Sequence, residues 1–554
     1  MTTLNSAPAA RATDLVSPLV PLGNQTFRVL WASSLVANFG TLIQGVGAAW
    51  LMTSLTGSAD MIALVQASTS LPMMLLALAG GAIADGYNRK HVMLAAQWFM
   101  VVVSITMVTA TYLGVVTPWV LLSMTFLLGC GNAINMPSWQ ASMGDLVARR
   151  ELSAAITLNG IGANISRSLG PAIGGAVVAM LGAAAAFAAN ALCYSAMIVA
   201  LMRWRPSYAK DDLPREAMGS AVISGLRYVF LSPDMRRVLL RAFIFGLGSV
   251  VVLALLPFVA SDRLAGDAAL YGLLLGAFGV GAVLGGFAMG KLQRWMSDES
   301  VVKLAFLVFA GAAWTLPLTT SVWVTALAAI CAGGCWVIAL SLFNVSIQVA
   351  APRWVVGRAL SVYQTASFGG LAIGSWIWGT IAHQFGLQFA FGGASALLIV
   401  GALAGFLIPL PPRNVSNLDP LNRWREPSLT TGIDPRSGPV IVEVTFIIRP
   451  ESHGEFLRIM VERRRIRRRD GARGWSLQRD LSDSNIWVER FHCATWTEYV
   501  RHSQRVTQAD APVSERLLSL HAGAEPPLVH RRIEHRTSRN RNHFIGSPDG
   551  LGTL

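Results

Sequence analysis

Arg167 is the residue most at odds with its surroundings in this chain. It stands inside an apolar run, one turn before Gly170, Pro171, Gly174 and Gly175 in the stretch ISRSLGPAIGG. A guanidinium at the centre of a hydrocarbon-spanning segment costs at least ~2.5–3.5 kcal/mol, so it is expected to face a polar cavity or a partner. Asn164 lies one turn away, and Asn132 and Asn135 sit on the preceding run. Asn38 and Gln44 interrupt the first run; Asn344, Gln348, Tyr363 and Gln364 interrupt two late ones. These groups donate and accept hydrogen bonds, and one carries a positive charge. They predict a cavity that binds a small molecule, with Asn38, Gln44, Asn135, Asn164, Arg167, Asn344 and Gln364 as its candidate lining. Two structural uses stay open beside that one: interhelical hydrogen bonds for Asn38 and Gln44, and snorkelling for Arg167.

Other chemistry is hard to assemble. His453, His492 and His502 have no spacing that defines a catalytic set, and seven of the nine histidines fall after residue 450. Cys331 and Cys335 share a helix face, but with no His or carboxylate beside them they suit packing better than metal ligation. No GxxxxGK[ST] loop is present, so no nucleotide site is expected. No cofactor or metal follows from any motif. No Asp or Glu lies well inside an apolar run, and no residue can be named as a buried proton carrier.

The elements that position these residues are long and apolar. The chain has 554 residues, 53% hydrophobic and 13% charged, and the charge is concentrated after residue 410. Crossing about 30 Å of hydrocarbon takes roughly 20 apolar residues. Twelve such runs are centred near Val36, Met73, Ile105, Leu127, Gly170, Leu192, Val251, Gly279, Phe309, Ile330, Ala372 and Leu397. The predicted class is an all-α polytopic membrane protein with an appended α+β domain. Residues 1–23 form a tail, 24–203 one six-helix half, 204–235 a polar linker and 236–410 the second half. A linker at 411–438, a domain at 439–535 and a disordered tail at 536–554 complete the chain. Lys and Arg gather in alternate loops, including Arg89, Lys90, Arg149, Arg150, Arg203, Arg205, Lys291 and Arg294, while the opposite loops hold Arg263. That bias puts both termini in the cytoplasm of a bacterial inner membrane protein. The net charge of +14 is thereby assigned to the lipid surface, and nucleic acid is disfavoured for lack of a groove-reading motif.

The halves repeat. GGAIADGYNRK at 80–90 has an echo in GGFAMGKLQRW at 285–295, placing Gly80, Gly81 and Arg89 on Gly285, Gly286 and Arg294. With a slip of one, Arg149, Gly170 and Gly175 fall on Arg353, Gly374 and Gly379. In membrane transporters, substrate sites lie between such repeats.

The first of these stretches resembles the signature loop of the major facilitator superfamily, with Gly81, Asp85, Arg89 and Lys90 matching. Gly86 stands where the family has Arg. Asn88 stands where it has its second Gly, the least damaging replacement at a positive φ. The run NMPSWQASMGDLVARRELSAAITLNGIGANISRSLGPAIGG at 135–175 closely resembles the enterobactin-exporter and macrolide-efflux branch, and VVGRALSVYQTASFGGLAIGSWIWGTIA at 355–382 continues the likeness. Together they extend it over residues 24–410. The resemblance implies an exporter that moves a siderophore, macrolide or drug-like compound, with protons as coupling ion. It implies that Gly81, Asp85, Arg89 and Lys90 latch the halves, and that Gly170, Pro171, Gly174 and Gly175 form an antiporter-type motif. Trp314, Trp336, Trp376 and Trp378 are further candidates for the cavity wall.

After residue 438 the hydrophobic period changes to two. VIVEVTFIIRP at 440–450 reads as a strand, 451–469 as a helix, 475–479 and 486–491 as a hairpin, 497–505 and 514–521 as helices, and 528–533 as a last strand. That order suggests a ferredoxin-like domain, similar to small antibiotic-biosynthesis monooxygenase-type domains. The Arg463–Arg469 run reads as a face near anionic lipid. Two rival uses of the whole chain remain: a transporter whose tail is an enzyme acting on the exported compound, and a membrane scaffold or sensor.

Overall fold

The structure, a computed structural model, describes residues 19–148, 151–205, 218–352, 354–411, 418, 421 and 433–534. Arg149 and Arg353, one of the repeat pairs, lie outside them. The chain divides into two compact units, Met1–Val415 and Ser416–Leu554.

The first unit is helical. Its first half holds α1 (Gln25–Leu55), α2 (Ala59–Gly86), α3 (Arg89–Tyr112), α4 (Pro118–Leu146), α5 (Leu152–Leu181) and α6 (Ala183–Arg203). After α7 (Met218–Leu231) come α8 (Pro233–Phe258), α9 (Ala268–Trp295), α10 (Asp298–Thr315), α11 (Val322–Ala350), α12 (Val356–Phe385) and α13 (Leu387–Leu407). Every predicted apolar centre falls inside one of these helices. By length and composition, nine helices among the described residues could cross a membrane. The other three long ones are α5, which carries Arg167, α10, which opens on Asp298, Glu299 and Lys303, and α12, rich in Gly, Ser and Gln.

Polar caps set the helix ends. Asn24 accepts from the Thr26 and Phe27 amides, and its Nδ2 donates to the Leu146 carbonyl at 2.9 Å, tying the start of α1 to the end of α4. Asp267 caps α9, and Ser297 caps α10. Such caps satisfy amides that a helix start leaves unpaired. The linker is less irregular than its composition suggests. Val222, Leu226 and Val229 recur at helical spacing in α7, Val229 is fully buried, and Arg358 of α12 donates to Ser224 at 2.9 Å.

The repeat is visible in the packing. Two helix breaks occur at left-handed glycines 204 positions apart, Gly182 (φ +82) between α5 and α6 and Gly386 (φ +92) between α12 and α13. Gly170 of α5 lies against Leu42 of α1, and its counterpart Gly374 of α12 lies against Leu247 and Val250 of α8. Gly175 meets Gly272 of α9 in the other half; its counterpart Gly379 meets Asp60 and Ala63 of α2, again in the other half. Two hydrophobic clusters result. One is drawn mainly from α1–α6, with Leu256, Ala260, Ala268, Tyr271 and Leu274 added, and the other mainly from α7–α13, with Ala59 and Ala63 added.

The second unit is a four-stranded antiparallel sheet of order β2-β3-β1-β4, with β1 Val440–Ile447, β2 Arg473–Arg479, β3 Ile486–Cys493 and β4 Leu528–Ile533. Val440, Val442, Val444 and Phe446 point to one face, as period two requires. That face is covered by α14 (His453–Asp470), α15 (Trp496–Gln504) and α16 (Ala511–Leu520), with Phe456, Met460, Tyr499 and Leu517 buried in the shared core. The helix expected from residue 514 starts three residues earlier, because Thr507 and Asp510 form a capping box just before Pro512.

Candidate functional site

Residues of both halves of the first unit enclose a cavity of about 580 Å³. The first half contributes Gln66 and Thr69 of α2, Thr125 and Asn132 of α4, and Arg167 and Pro171 of α5. The second contributes Phe278 of α9, Trp336 of α11, and Tyr363, Gln364, Ser367 and Phe368 of α12. The wall is mostly apolar with a few polar groups, the usual make-up of a small-molecule site. Among the described residues Arg167 is its only guanidinium, and no carboxylate lines it. Arg167 is exposed and donates from Nη1 to Asn164 Oδ1 at 3.2 Å; no ion-pair partner is present among the described residues. Tyr363 gives its hydroxyl proton to the Leu340 carbonyl at 3.1 Å, so its ring is fixed at the wall.

Of the sequence candidates, Arg167 and Gln364 line the cavity, and Asn164 holds Arg167. Gln44 is buried in α1, its Nε2 without a partner among the described residues, and the Asn135 side-chain oxygen is likewise buried without one. Asn344 accepts from Gln348 within α11, and Asn38 is exposed. These four are not among the lining residues. Trp336 faces the cavity. Trp314 and Trp376 are exposed instead, and Trp378 is buried, donating to the Leu247 carbonyl at 2.6 Å. Gln66 and Thr69 were not singled out in the sequence, although a Gln inside an apolar run carries the same desolvation cost as Gln44.

The loop between α2 and α3 distributes its residues differently from one another. Gly81 faces Ser361 of α12, in the opposite half. The Asp85 side chain lies outside the described residues. Arg89 donates to Asp145 Oδ2 at 2.8 Å and to the Ala141 carbonyl, both on α4. Lys90 donates to the Met202 and Trp204 carbonyls at the end of α6. Both cations therefore bind within their own half. Asn88 does not occupy a positive φ. At φ −64 it is the N-cap of α3, its side chain accepting from the Lys90 and His91 amides.

The antiporter-like stretch is a backbone seam. A Cβ at Gly175 would stand 2.7 Å from Gly272 Cα, and one at Gly174 would stand 3.0 Å from Ile43 Cα. Ser168 donates to the Gly279 carbonyl across the same α5–α9 contact at 3.0 Å. At the opposite end of α2, Ser58 hydrogen-bonds both Asp60 and His383, so a polar cluster joins α2 to the end of α12.

The second unit buries an ion network. Glu489 is fully buried and accepts from Arg463 Nε at 2.9 Å, Arg467 Nε at 3.2 Å and Trp475 Nε1 at 3.0 Å. Burial pushes its carboxyl up, but the two guanidiniums and the indole N–H outweigh that and hold it at about 2. Burial and the neighbouring Arg467 push His502 down to about 3, so it is neutral and accepts from Arg467 Nη1. Burial raises Asp470 to about 6 against the pull of Arg469.

Two halves of long apolar helices around a shared cavity are the arrangement of a transporter class, and the comparisons agree. A bacterial homologue of the human lysosomal transporter Spinster superposes with a TM-score of 0.56 at 14% identity, over 70% of this chain and 97% of that one. The nucleoside transporter NupG gives 0.57 at 12% identity, over 70% and 99%. At these identities the likeness shows the fold alone. The profile of the transmembrane secretion effector family of major facilitator transporters matches residues 16–540, and the chain belongs to that family. Among its relatives, the staphyloferrin A transporter of Staphylococcus aureus is 23% identical over 288 residues, 51% of this chain and 71% of the other. The multidrug efflux pump Tap of Mycolicibacterium fortuitum is 25% identical over 392 residues, 68% and 94% of the two chains. The enterobactin exporter EntS of Escherichia coli is 24% identical over 386 residues, 68% and 90%.

Proposed function

We propose that the protein exports a siderophore, macrolide or other drug-like compound from the cytoplasm by alternating access, with protons as coupling ion. The observation that carries this reading is the 580 Å³ cavity walled by both halves around one cation, Arg167. In this reading all twelve long helices cross the bilayer and both termini are cytoplasmic. Within the motif Gly170, Pro171, Gly174 and Gly175, Pro171 and Gly175 meet α9 in the seam on which the halves rock, while Gly170 and Gly174 pack on α1; in the Gly81, Asp85, Arg89 and Lys90 set, Gly81 faces the other half and Arg89 and Lys90 stiffen their own. Among the described residues the cavity wall holds no carboxylate. Proton binding is therefore assigned to span-end groups, of which the Ser58–Asp60–His383 cluster joins the two halves directly. The sheet order β2-β3-β1-β4 supports a ferredoxin-like reading of the second unit.

The test is accumulation of labelled candidate compounds in cells lacking the gene, with and without a protonophore. Expression of the chain should lower accumulation, and the protonophore should abolish the difference. Equal accumulation for every compound in both strains would overturn export. Export that survives the protonophore would overturn proton coupling alone.

A further inference from the structure

A second cavity, of about 380 Å³, lies wholly within the second unit, between the sheet and its helices. Its walls are Val442, Val444 and Phe446 of β1, Phe491 of β3 and Leu517 of α16, and its only charged lining groups among the described residues are Arg463, Arg467 and Arg531. In an isolated domain of this size an apolar space between sheet and helices is normally filled by side chains, since interiors pack as densely as organic crystals. Here the space is open and three guanidiniums turn into it.

The charges do not cancel. Arg463 and Arg467 share Glu489, which each reaches through Nε. Asp470 and Asp510 stand beyond them in an adjoining 180 Å³ cavity, both bonded to Arg469, and Arg505 donates to the Asp470 carbonyl. Of the three guanidiniums that line the larger cavity, Arg463 and Arg467 share the one carboxylate of Glu489 and Arg531 bonds only the Tyr499 hydroxyl, which leaves +2 among the described residues. Donors are also left over. Both Nη groups of Arg463, Nη2 of Arg467 and both Nη groups of Arg531 have no acceptor among the described residues. The side chains of Arg463 and Arg467 are only 14% and 18% exposed. Guanidinium N–H groups held in such a place, beside aromatic rings and short of acceptors, suit a planar anionic group that accepts two parallel hydrogen bonds.

Geometry orders the site from floor to mouth. Arg467 lies over the Phe491 ring at 4.7 Å and Arg463 over Phe446 at 5.9 Å, so the two floor guanidiniums are fixed by stacking as well as by Glu489. Arg531, on the edge strand β4, is exposed, and its Nε donates to the buried Tyr499 hydroxyl at 2.6 Å. We propose that this cavity binds a small amphipathic carboxylate with an aromatic or aliphatic body. The body fills the apolar space under β1, and the carboxylate bridges the free guanidinium donors. The inference does not rest on the transport reading, because every residue it uses belongs to the second unit.

The experiment uses the full chain in lipid nanodiscs and a photoreactive aromatic acid, a trifluoromethyldiazirinyl benzoate, with labelled peptides mapped by mass spectrometry. Label should fall on peptides containing Val442–Phe446, Tyr499–Val506 or Leu517–Val529. The acid 1-naphthoate should compete at a concentration at least tenfold lower than neutral 1-naphthalenemethanol. Arg531→Gln should reduce that preference to less than threefold, and Arg531→Lys, which keeps the charge, should restore most of it. Backbone hydrogen exchange of α14 in both variants guards against simple unfolding. Label spread outside these peptides, equal competition by acid and alcohol, or an Arg531→Gln variant with unchanged preference and intact α14 would each overturn the proposal.

Discussion

Arg167 meets one side-chain oxygen, that of Asn164, and otherwise faces open cavity. In the proposed export reading this cation is the group that meets the ligand. Arg167→Ala is expected to abolish efflux and Arg167→Lys to retain part of it, with both variants reaching the membrane in normal amounts, as measured by efflux at matched expression. Lys keeps the charge but loses the planar fork. In the second unit the pH response is set by groups with opposite signs. His502, depressed to about 3, contributes stability present above its ordinary value near 6.5 and lost as pH falls toward 3. Asp470, raised to about 6, contributes stability present below its ordinary 3.8 and lost as pH rises through 6. Between pH 6 and 4 the two oppose each other, each at about 1.4 kcal/mol per pH unit. Asp470→Asn removes one of them, so hydrogen-exchange protection of α14 and α15 should fall more steeply from pH 6 to 4 than in the unmutated chain. The cost of burying a polar side chain was legible for Arg167 and Gln364. It does not say how a helix is rotated, and so Gln44 and the Asn135 side-chain oxygen are buried off the cavity lining, while Asn344 is taken up by Gln348 of its own helix.

Among the elements, α5 and α9 touch through backbone. With Gly175 and Gly272 facing each other, any side chain at either position wedges the helices apart. Gly175→Leu should cost about 1–3 kcal/mol in this closed contact. It should also raise the reactivity of a cysteine introduced beside the seam, measured with a membrane-impermeant maleimide; unchanged reactivity would mean that the contact is not closed in the membrane. Helix α8 shows the contrary device. Arg241 is 1% exposed, chelates both Glu299 oxygens at 2.6 Å, and lies 5.5 Å from the Phe306 ring. Glu299 also accepts from the Leu410 amide, joining α8, α10 and the end of α13. Arg241→Gln leaves that carboxylate with Lys303 alone, at 3.8 Å, and should destabilise the second half by about 3 kcal/mol, seen as a lower melting temperature in detergent. Glu299 and Arg241 look like ordinary loop-edge charges in the sequence, because the pair is 58 residues apart and neither sits at the centre of an apolar run. The elements themselves were legible from apolar length and period, and α7 was missed because its helical stripe is short and set in a polar stretch.

For the molecule as a whole, the cytoplasmic assignment of both termini has a direct check. A reporter that works only inside the cell should be active when fused after Pro411, and an externally active fusion there would overturn the orientation. The internal repeat announced two halves, and the paired glycine breaks at Gly182 and Gly386 carry it into the backbone. The two hydrophobic clusters have a consequence for how the gene can be arranged. Each half buries its own apolar residues, and they interleave where Leu256, Ala260 and Tyr271 enter one cluster and Ala59 and Ala63 the other. A chain cut within residues 206–217 and co-expressed as two polypeptides would then have two subunits that fold separately and recognise each other through that shared end, a heterodimer made from the two pieces of one chain.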